Sequence, residues 1–403
     1  MGRSTIDQKG VPGLAGFPEP DADACEHSRR LCEYIHDEIA DQGGSISFAR
    51  YMELALYAPG LGYYSAGARK FGAAGDFITA PGISPLFSQC LARQCQQILN
   101  ALDGGIILEL GAGTGIMACD VMLELERQHC LPAQYLILEV SADLRQRQQA
   151  TILQYIPHLS SYMDWLDVLP DDGIAGIILA NEVLDAMPVH RFVLHDAEIK
   201  DLRVVSEGGR FHWKDMPSDP LLAAGVREIL GSSIFIRPEA YTSEINLGLS
   251  PWLLSLADVL TKGAMLFIDY GYPAREYYHP QRSDGTLLCH YRHRVHDDPF
   301  LYPGLQDITA SVNFTQLAEA AVSAGLAVSG YTTQAYFLFA CGLENLMGNY
   351  EIMEIKMRLE LSRQVQMLTL PGEMGERFKV MGLTRGLEFP LLGFSLVDQR
   401  VHL

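Results

Sequence analysis

The segment of the chain best suited to bind a small molecule is a glycine turn with the pattern Glu-x-Gly-x-Gly-x-Gly. Its members are, in order, Glu109, Gly111, Ala112, Gly113 and Gly115. An apolar run precedes the turn and a helical pattern follows it, which predicts a buried strand, a tight turn and a helix. Because glycine has no side chain, such a turn lets the backbone come close to a ligand.

The turn does not match the loops that bind dinucleotides or nucleoside triphosphates. The dinucleotide fingerprint needs a third small residue for helix packing, and Ile116 occupies that position. The Gly-x-x-x-x-Gly-Lys-Ser/Thr pattern of nucleotide hydrolases does not occur in the sequence. A carboxylate at Glu109 does not suit a pyrophosphate, whereas it suits the cationic head group of an amino acid.

Acidic residues also stand at the ends of the next two predicted strands. Glu139 ends the second strand, where one carboxylate can hold both hydroxyls of a ribose. Trp165 and Asp167 offer an aromatic face and an acceptor for an adenine amine. Together with the glycine turn, these residues predict an adenosine that carries an amino-acid tail, which is S-adenosylmethionine. The alternative is a tight turn that binds no ligand.

The fourth predicted strand ends in a polar string that has two interpretations. Asn181 could cap a helix, with Glu182 and Asp185 near the positive end of that helix. In the functional interpretation Asn181 faces the cofactor, while Glu182 and Asp185 face the methyl acceptor. Methyl transfer is an in-line displacement, in which the protein chiefly aligns the reactants. Paired carboxylates would orient a guanidinium acceptor and receive its proton.

Short aliphatic runs alternate with helical patterns through the centre of the chain, which indicates βαβ units and a parallel sheet. The predicted strands are residues 106–110, 135–140, 174–180 and 265–269. Apart from acidic residues near their ends, these runs are continuously apolar, as expected for strands buried on both faces. The carboxyl ends of such strands share one edge of the sheet, so the acidic residues are expected to meet there.

The composition is that of an average globular protein, with 48% hydrophobic and 20% charged residues. The formal net charge of −19 opposes binding to nucleic acid or to an anionic membrane, and it favours a cationic partner. We expect no membrane insertion, since no apolar run is long enough, and no signal or transit peptide. The 8 cysteines are scattered without a Cys-x-x-Cys pair, which predicts no disulfide framework and a reducing cytoplasm.

Several strings of the chain together resemble one family, the MidA-type or NADH dehydrogenase assembly factor 7-like class I S-adenosylmethionine-dependent methyltransferases. The strings are residues 75–81, 109–115, 181–182 with 185–188, 269–272, 285–287 and 306–309. The resemblance covers nearly the whole chain after the N-terminal tail. Ala112 departs from it, because many relatives have proline between the two glycines, but alanine still permits the turn.

The resemblance implies a class I, Rossmann-like α/β methyltransferase fold. The expected sheet has seven mostly parallel strands, with an N-terminal helical cap and a further helical insertion. The implied reaction is transfer of a methyl group from S-adenosylmethionine to an arginine nitrogen of a protein substrate. The mitochondrial relatives act on a subunit of respiratory complex I during its assembly, which makes such a subunit a candidate partner.

The resemblance also implies roles for residues outside the glycine turn. Asp76, Phe77 and Thr79 would belong to a loop over the cofactor, with Asp76 as a third candidate catalytic residue. A plain turn is the alternative for this loop. Asp269 and Tyr270 would line the acceptor side, although a core position for the tyrosine is nearly as well supported.

We expect four regions along the chain. They are a disordered tail (1–23), an N-terminal helical lid region (24–104), a methyltransferase core (105–340) with an inserted excursion (273–313), and a long helix with a final strand (341–403). Within them, helices are predicted for residues 24–39, 47–56, 86–102, 314–326 and 343–368, and strands for 328–338 and 391–397.

Two other functions stay open at this point. One is methyl transfer to an oxygen, nitrogen or carbon atom of a small molecule, and the other is a non-catalytic assembly chaperone that retains the cofactor pocket. The spacing of His290, His293 and His296 invites a metal site, but we expect no metal because no cysteine or carboxylate pattern accompanies them. The sequence leaves the oligomeric state open.

Overall fold

The computed structural model describes residues 17–65, 79–195, 198–231, 240–348, 350 and 353–403. Two candidate site residues, Asp76 and Phe77, lie outside the described residues, as does most of the predicted tail. The α-helices are α1 (Ala22–Asp41), α2 (Phe48–Tyr57), α3 (Ala80–Ile83), α4 (Pro85–Leu102), α5 (Ile116–Arg127), α6 (Ala142–Tyr155), α7 (Pro220–Gly231), α8 (Leu249–Val259), α9 (Ala274–Tyr277), α10 (Phe314–Ser323), α11 (Gln334–Ala340), α12 (Leu343–Leu346), α13 (Ile355–Thr369) and α14 (Met374–Arg377).

The β-strands are β1 (Ser45–Ile46), β2 (Ile106–Leu110), β3 (Gln134–Leu138), β4 (Met163–Leu166), β5 (Ile174–Asn181), β6 (His190–His195), β7 (Glu198–Glu207), β8 (Arg210–Pro217), β9 (Ala240–Ile245), β10 (Leu260–Tyr272), β11 (Leu288–Tyr291), β12 (Arg294–His296), β13 (Asp307–Thr309), β14 (Val312–Asn313), β15 (Ala327–Thr333) and β16 (Phe378–Arg385). All four strands predicted for the centre of the chain are present, as β2, β3, β5 and part of β10.

The central sheet has the strand order β15-β16-β10-β5-β2-β3-β4. Strands β10, β5, β2, β3 and β4 run parallel, whereas β16 is antiparallel to both of its neighbours. The short β14 adds a parallel pairing to the end of β10. The predicted seven-stranded, mostly parallel sheet of a Rossmann-like methyltransferase fold is confirmed.

Both faces of this sheet are buried, which explains the uninterrupted apolar runs of its strands. Neighbouring residues of β2 show the division, because Ile107 faces a core formed with α4, α5 and α11, while Leu108 faces a core formed with α8 and α10. The carboxyl ends of the parallel strands are therefore the open edge of the sheet at which polar side chains can collect.

A second sheet, which the sequence did not lead us to expect, covers one side of this edge. Strand β7 pairs with β8, β6 and β1, and β6 pairs with β9, all antiparallel. The hairpin between β7 and β8 turns at Gly208 and Gly209, with φ of 59° and 75°, as a tight hairpin turn requires. Helices α1 and α2 pack on this sheet through buried aromatic side chains such as Tyr51 and Phe211.

The excursion 273–313 folds into a small sheet in which β11 pairs with β12 and β13. Strand β13 carries Asp307 and Thr309 towards the open edge of the central sheet. The excursion thus belongs to the walls of the candidate site.

Three elements predicted for the C-terminal part are wrong. The strand predicted over 328–338 ends at Thr333, because that side chain caps α11. The helix predicted over 343–368 is two helices, α12 and α13, with Gly348 at a φ of 60° between them. The strand predicted over 391–397 is a 3-10 helix, Leu392–Phe394, and the final strand is β16, where Gly382 leaves room for the Leu391 side chain.

Candidate active site

The glycine turn lies between β2 and α5 and has a backbone that only glycine adopts easily. Gly111, Gly113 and Gly115 have φ angles of 62°, 53° and 81°. A Cβ atom on Gly115 would lie 3.2 Å from the Cα atom of Gln148, and one on Gly111 would lie 3.3 Å from Val183. At Gly113 nothing lies within 4 Å of that position. The turn is therefore tight against its neighbours at both ends and open in the middle.

Gln148, on α6, holds the turn to two neighbouring strands. Its Nε2 atom donates to the carbonyl oxygen of Gly113 at 3.1 Å and to Oε2 of Glu139 at 2.9 Å. Its Oε1 atom accepts from the indole Nε1 of Trp165 at 3.0 Å. The sequence analysis missed this fully buried residue, because a glutamine within a polar helix carries no signal of its own.

Glu139 follows β3 and lies beside the glycine turn, as predicted for the ribose-binding acid. The side chain is only 6% exposed, and its Oε1 atom accepts from the backbone N–H of Ser141 at 2.9 Å. These two hydrogen bonds, from Ser141 and Gln148, fix the carboxylate at the edge of the sheet. A carboxylate has about four acceptor positions, so it can also accept from two hydroxyl groups.

The two residues predicted for the adenine side have partners of their own, and their role stays a prediction. Asp167 is exposed and forms an ion pair with Arg145 at 2.7 Å, and the partly buried Trp165 ring packs against the core. Two exposed valines directly follow the acidic residues Glu139 and Asp167. Val140 is 79% exposed and Val168 is 74% exposed.

Glu109 is buried beneath the turn, with 1% of its surface exposed. Its Oε2 atom accepts a hydrogen bond of 2.6 Å from the hydroxyl of Tyr135. Burial raises the pKa of Glu109 to about 7, an effect that the Tyr135 hydrogen bond opposes and the nearby Glu139 carboxylate strengthens. A cation bound at the turn would stabilise the ionised form.

The end of β5 makes an unusual turn at Glu182. This residue has a φ of 54°, which is rare for a residue with a side chain, and its N–H donates to the carbonyl oxygen of Ile268 at 2.9 Å. Asn181 donates through Nδ2 to Oε1 of Glu182 at 3.2 Å, while its buried Oδ1 atom has no hydrogen-bond partner among the described residues. No helix starts here, so the helix-capping interpretation of Asn181 is wrong.

Three buried or partly buried carboxyl groups meet here, because Glu182 and Asp185 follow β5 and Asp269 lies in the neighbouring strand β10. Asp269 accepts from the N–H groups of Leu184 and Asp185 at 3.0 and 3.2 Å, which fixes the loop that follows β5. Burial, together with Asp185, raises the pKa of Glu182 to about 8. Burial also raises the pKa of Asp185, and burial with the other two carboxyl groups raises that of Asp269. None of the three forms a salt bridge within the described part of the chain.

Side chains from the N-terminal region and the excursion complete this side of the site. Tyr57 donates to the carbonyl oxygen of Ala186 at 2.9 Å, and Tyr64 donates to the Asp307 carboxylate at 3.0 Å. The Tyr270 hydroxyl faces Asp185, without a hydrogen bond of normal length to a described residue. The sequence analysis assigned no role to Tyr57, Tyr64 or Asp307, although Asp307 lies within one of the strings that carry the family resemblance.

The string at residues 285–287 also finds its explanation here. Glu244 on β9 is fully buried, and its Oε2 atom accepts from the N–H of Thr286 at 2.7 Å and from its hydroxyl at 3.2 Å. Gly285 has a φ of 81°, and a Cβ atom there would collide with the Glu244 carboxylate. The Thr286 hydroxyl accepts from the N–H of Ser311, so the second sheet holds the strand that carries Asp307.

Of the three residues assigned to the predicted cofactor loop, Asp76, Phe77 and Thr79, the structure describes only Thr79. Thr79 precedes α3, and the N–H of Ala80 lies close enough to Glu182 to lower the pKa of that carboxyl group against the effect of burial. Thr79 is thus adjacent to the predicted acceptor side. The roles proposed for Asp76 and Phe77 lie outside the described residues and stay predictions.

The three histidines that suggested a metal site lie in the excursion, where His290 pairs with Asp307 of β13. Within the described ranges, no three His, Cys, Asp or Glu side chains are grouped so that they could hold a metal ion. His290, His293 and His296 lie on or between β11 and β12.

None of the described helices is both long enough and apolar enough to span a membrane.

The described residues fit S-adenosylmethionine at the sheet edge. The middle of the glycine turn is open, a fixed carboxylate stands on the next strand, and a buried amide oxygen of Asn181 has an unused acceptor position. Residues 90–332 match the family model described as "Putative S-adenosyl-L-methionine-dependent methyltransferase". The chain belongs to this family.

A solved structure from Burkholderia thailandensis, described as a "likely methyl transferase" bound to S-adenosyl-homocysteine, is 40% identical to this family member. The TM-score between them is 0.90, and the match covers 96% of this chain and 100% of that one. The protein is therefore an S-adenosylmethionine-dependent methyltransferase, and S-adenosylmethionine is its cofactor. Both predictions are confirmed.

Relatives with curated names are similar along most of their length. The Drosophila melanogaster protein arginine methyltransferase NDUFAF7 homolog is 27% identical, over 95% of this chain and 94% of the relative. The Homo sapiens mitochondrial protein arginine methyltransferase NDUFAF7 is 28% identical, over 84% of this chain and 80% of the relative.

Proposed function

We propose that this methyltransferase transfers methyl groups to arginine nitrogen atoms of a protein substrate. The observation that carries the proposal is the group of three carboxyl groups, Glu182, Asp185 and Asp269, next to the glycine turn. Raised pKa values in the absence of a paired described cation indicate a site that a cation would stabilise. The names of the curated relatives support the same acceptor.

The glycine turn and the neighbouring strands would hold the cofactor. Glu139 would accept from the ribose hydroxyls, the two valines would cover the adenine, and the Asn181 Oδ1 atom would accept from the amino group. Glu109, beneath the turn, would balance the positive charge of the amino-acid part. When bound, S-adenosylmethionine supplies an electrophilic methyl group on a sulfonium sulfur.

The carboxyl groups of β10 and of the loop after β5 would act on the acceptor. Glu182 and Asp185 would accept hydrogen bonds from a guanidinium, which fixes its plane and directs one nitrogen towards the glycine turn. An ionised Glu182 would then receive the proton that this nitrogen releases on methylation. Asp269 accepts hydrogen bonds from the backbone of Leu184 and Asp185, so it acts as a positioning residue.

The substrate that the family resemblance suggests first is a subunit of respiratory complex I.

We also propose a cytoplasmic location, since all 8 cysteines are free thiols, as a reducing compartment would keep them. Fractionation of cells that express the tagged chain tests the location. Recovery from an oxidising compartment would contradict it.

The experiment that tests the acceptor is a comparison of proteomes with and without the active enzyme. Extracts that lack the enzyme are incubated with purified protein and S-adenosylmethionine that carries an isotopically labelled methyl group. Mass spectrometry then identifies the labelled residues. We expect label on arginine with wild-type protein and none with a Glu182→Gln, Asp185→Asn double variant that still binds S-adenosylhomocysteine.

Two outcomes would replace the proposal. Label in a metabolite but in no protein would assign the same pocket to a small-molecule acceptor. Restored cellular function with the inactive double variant would indicate an assembly chaperone that retains its cofactor pocket.

A further inference from the structure

Tyr57 and Tyr64 form a stacked aromatic pair beside the carboxyl groups of the acceptor side. Their ring centroids are 5.5 Å apart and their planes differ by 20°. Both side chains stay partly exposed in a region where Tyr51 and Tyr63 are almost completely buried. The pair packs on the core of the N-terminal region and keeps part of its surface accessible.

The hydroxyl groups of the pair are already used. Tyr57 donates to the carbonyl oxygen of Ala186, in the loop after β5, and Tyr64 donates to Asp307 on β13. Each hydroxyl thus ties the N-terminal region to one wall of the site. What remains available to a ligand is the face or edge of each ring.

The local backbone holds the pair in place. Gly62 packs so closely on the end of α2 that a Cβ atom would lie 2.6 Å from backbone atoms of Leu56, Tyr57 and Ala58. The N–H of Tyr64 donates to the carbonyl oxygen of Leu56 at 2.8 Å. The residues after the turn therefore fold back on α2, which brings Tyr64 against Tyr57.

The surroundings of the pair are acidic. Burial raises the pKa of Tyr57, and the negative charges of Asp307, Asp185 and Glu139 raise it further. The hydroxyl of Tyr57 contacts Ala186, the residue after Asp185, and that of Tyr64 contacts Asp307. Aromatic faces attract cations, and a planar guanidinium can stack on a ring while its N–H groups donate sideways to carboxylates. A lysine ammonium is tetrahedral and strongly hydrated, and it gains less from such a surface.

We propose that the Tyr57–Tyr64 pair is the specificity element of the acceptor pocket, where it selects a planar guanidinium over the tetrahedral ammonium of lysine. This inference rests on the proposed function, because it assigns the choice of acceptor to two residues of the same site.

The test compares two peptides that differ only in one arginine or lysine within a glycine-rich sequence. Calorimetry measures their binding to protein saturated with S-adenosylhomocysteine, and mass spectrometry measures initial rates of methylation. In Tyr57→Leu and Tyr64→Leu we expect affinity for the arginine peptide to fall about tenfold, with little change for the lysine peptide.

Matched variants separate the ring from the hydroxyl. Tyr57→Phe loses the hydrogen bond to Ala186 but keeps the ring, so its arginine preference should stay close to that of the wild type. Tyr34→Leu changes an exposed tyrosine on α1 and should have no effect. Unchanged affinity for S-adenosylhomocysteine shows that each variant is folded, and two independent leucine variants guard against the misfolding of one.

The outcomes distinguish the two proposals. If wild-type protein prefers arginine and both leucine variants keep that preference, the aromatic pair has no part in selection and the inference is overturned. A Tyr57→Phe variant that loses the preference as fully as Tyr57→Leu would also overturn it. If wild-type protein binds and methylates neither peptide, the proposed arginine acceptor fails, and the inference fails with it.

Discussion

At the scale of single residues, the acceptor side is defined by Glu182, Asp185 and Asp269, which form no salt bridge with a described residue. A buried carboxylate is costly unless a cation or several hydrogen bond donors surround it. Asp269 has such donors in the backbone of Leu184, Asp185 and Tyr270. Glu182 has fewer, and its backbone is also strained, which is a combination typical of functional positions.

Glu182→Gln should stabilise the protein in the absence of ligand, and more so at high pH. The pKa of Glu182 is raised to about 8 by burial, above the ordinary value of 4.5. The cost of ionising the folded state is therefore absent below about pH 4.5, grows as the pH rises, and is complete above about pH 8. Thermal unfolding should show a larger increase in Tm at pH 8 than at pH 5.

A matched control for this prediction is Glu53→Gln, which removes an exposed carboxylate on α2. It should shift the Tm little at either pH, because exposed ion pairs contribute little to stability. If Glu182→Gln lowers the Tm equally at both pH values, the carboxyl group is ionised and stabilised in the folded state, contrary to our interpretation.

Gln148→Leu should weaken the binding of S-adenosylhomocysteine at least about tenfold, since it removes the hydrogen bonds to Gly113 and Glu139. Calorimetric titration measures the affinity. Gln149→Leu is the matched control. Gln149 is the exposed neighbour of Gln148 on α6, so this change should leave the affinity unaltered. Glu139→Ala should weaken binding as well, and Gly111→Arg should abolish it. If all three variants bind S-adenosylhomocysteine with wild-type affinity, the glycine turn is not the cofactor site.

At the scale of elements, the acceptor side is assembled from parts distant in sequence. Strand β13 is held at the site by the residues that follow it, because Ala310 donates to the carbonyl oxygen of Asp185 and Ser311 donates to Thr286. Thr286 is held in turn by Glu244 on β9. The second sheet is thus a support for the acceptor wall.

Glu244→Ala should lower the free energy of unfolding by about 3 kcal/mol, because it leaves the N–H of Thr286 and the nearby Arg191 without their buried partner. It should also raise the KM for the protein acceptor, while the affinity for S-adenosylhomocysteine stays unchanged. Chemical denaturation and steady-state kinetics measure the two effects. Asp215→Ala, which removes an exposed pair with His195 on the same sheet, should change neither.

A loss of cofactor affinity in Glu244→Ala as large as the rise in acceptor KM would contradict this view. The second sheet would then support the whole edge and not the acceptor wall alone. Glu244→Gln keeps an acceptor for Thr286, so its KM for the protein acceptor should stay close to the wild-type value.

At the scale of the whole molecule, the formal charge of −19 acts on encounters with a substrate. A strongly acidic surface attracts basic protein segments, and salt screens this attraction over distances beyond about 8 Å at physiological ionic strength. The attraction acts before contact, whereas the carboxyl groups of the site act after it.

We therefore expect kcat/KM for a basic arginine-containing peptide to fall several-fold between about 0.05 M and about 0.3 M salt. An arginine peptide of zero net charge serves as the control and should show a much weaker dependence. Equal salt dependence for the two peptides would contradict steering by the surface charge. Affinity for S-adenosylhomocysteine should change little over the same range.

The elements at the centre of the chain could be predicted because each carries its own periodicity. Strand β2 begins with three apolar residues, ends at Leu110 and is followed directly by the glycine turn, and this local pattern predicts a buried strand before a turn. The final strand was misplaced because β16 contains Lys379 and Gly382, which break its apolar pattern. Gly382 has its reason in packing, since the side chains of Leu391 and Phe394 occupy the space beside it.

The residues of the site also fall into two groups, those that the local sequence predicts and those that only long-range packing places. Glu109 and Asn181 lie at the ends of strands that the sequence reveals, and the glycines and Glu139 directly follow such strands. Parallel strands end at one edge by geometry, so the sequence alone determined that these residues share that edge. Gln148, Tyr57, Tyr64 and Asp307 come from helices and loops whose positions depend on long-range packing. Only the tertiary structure could bring them together, because no local pattern encodes contacts between residues so far apart in the chain.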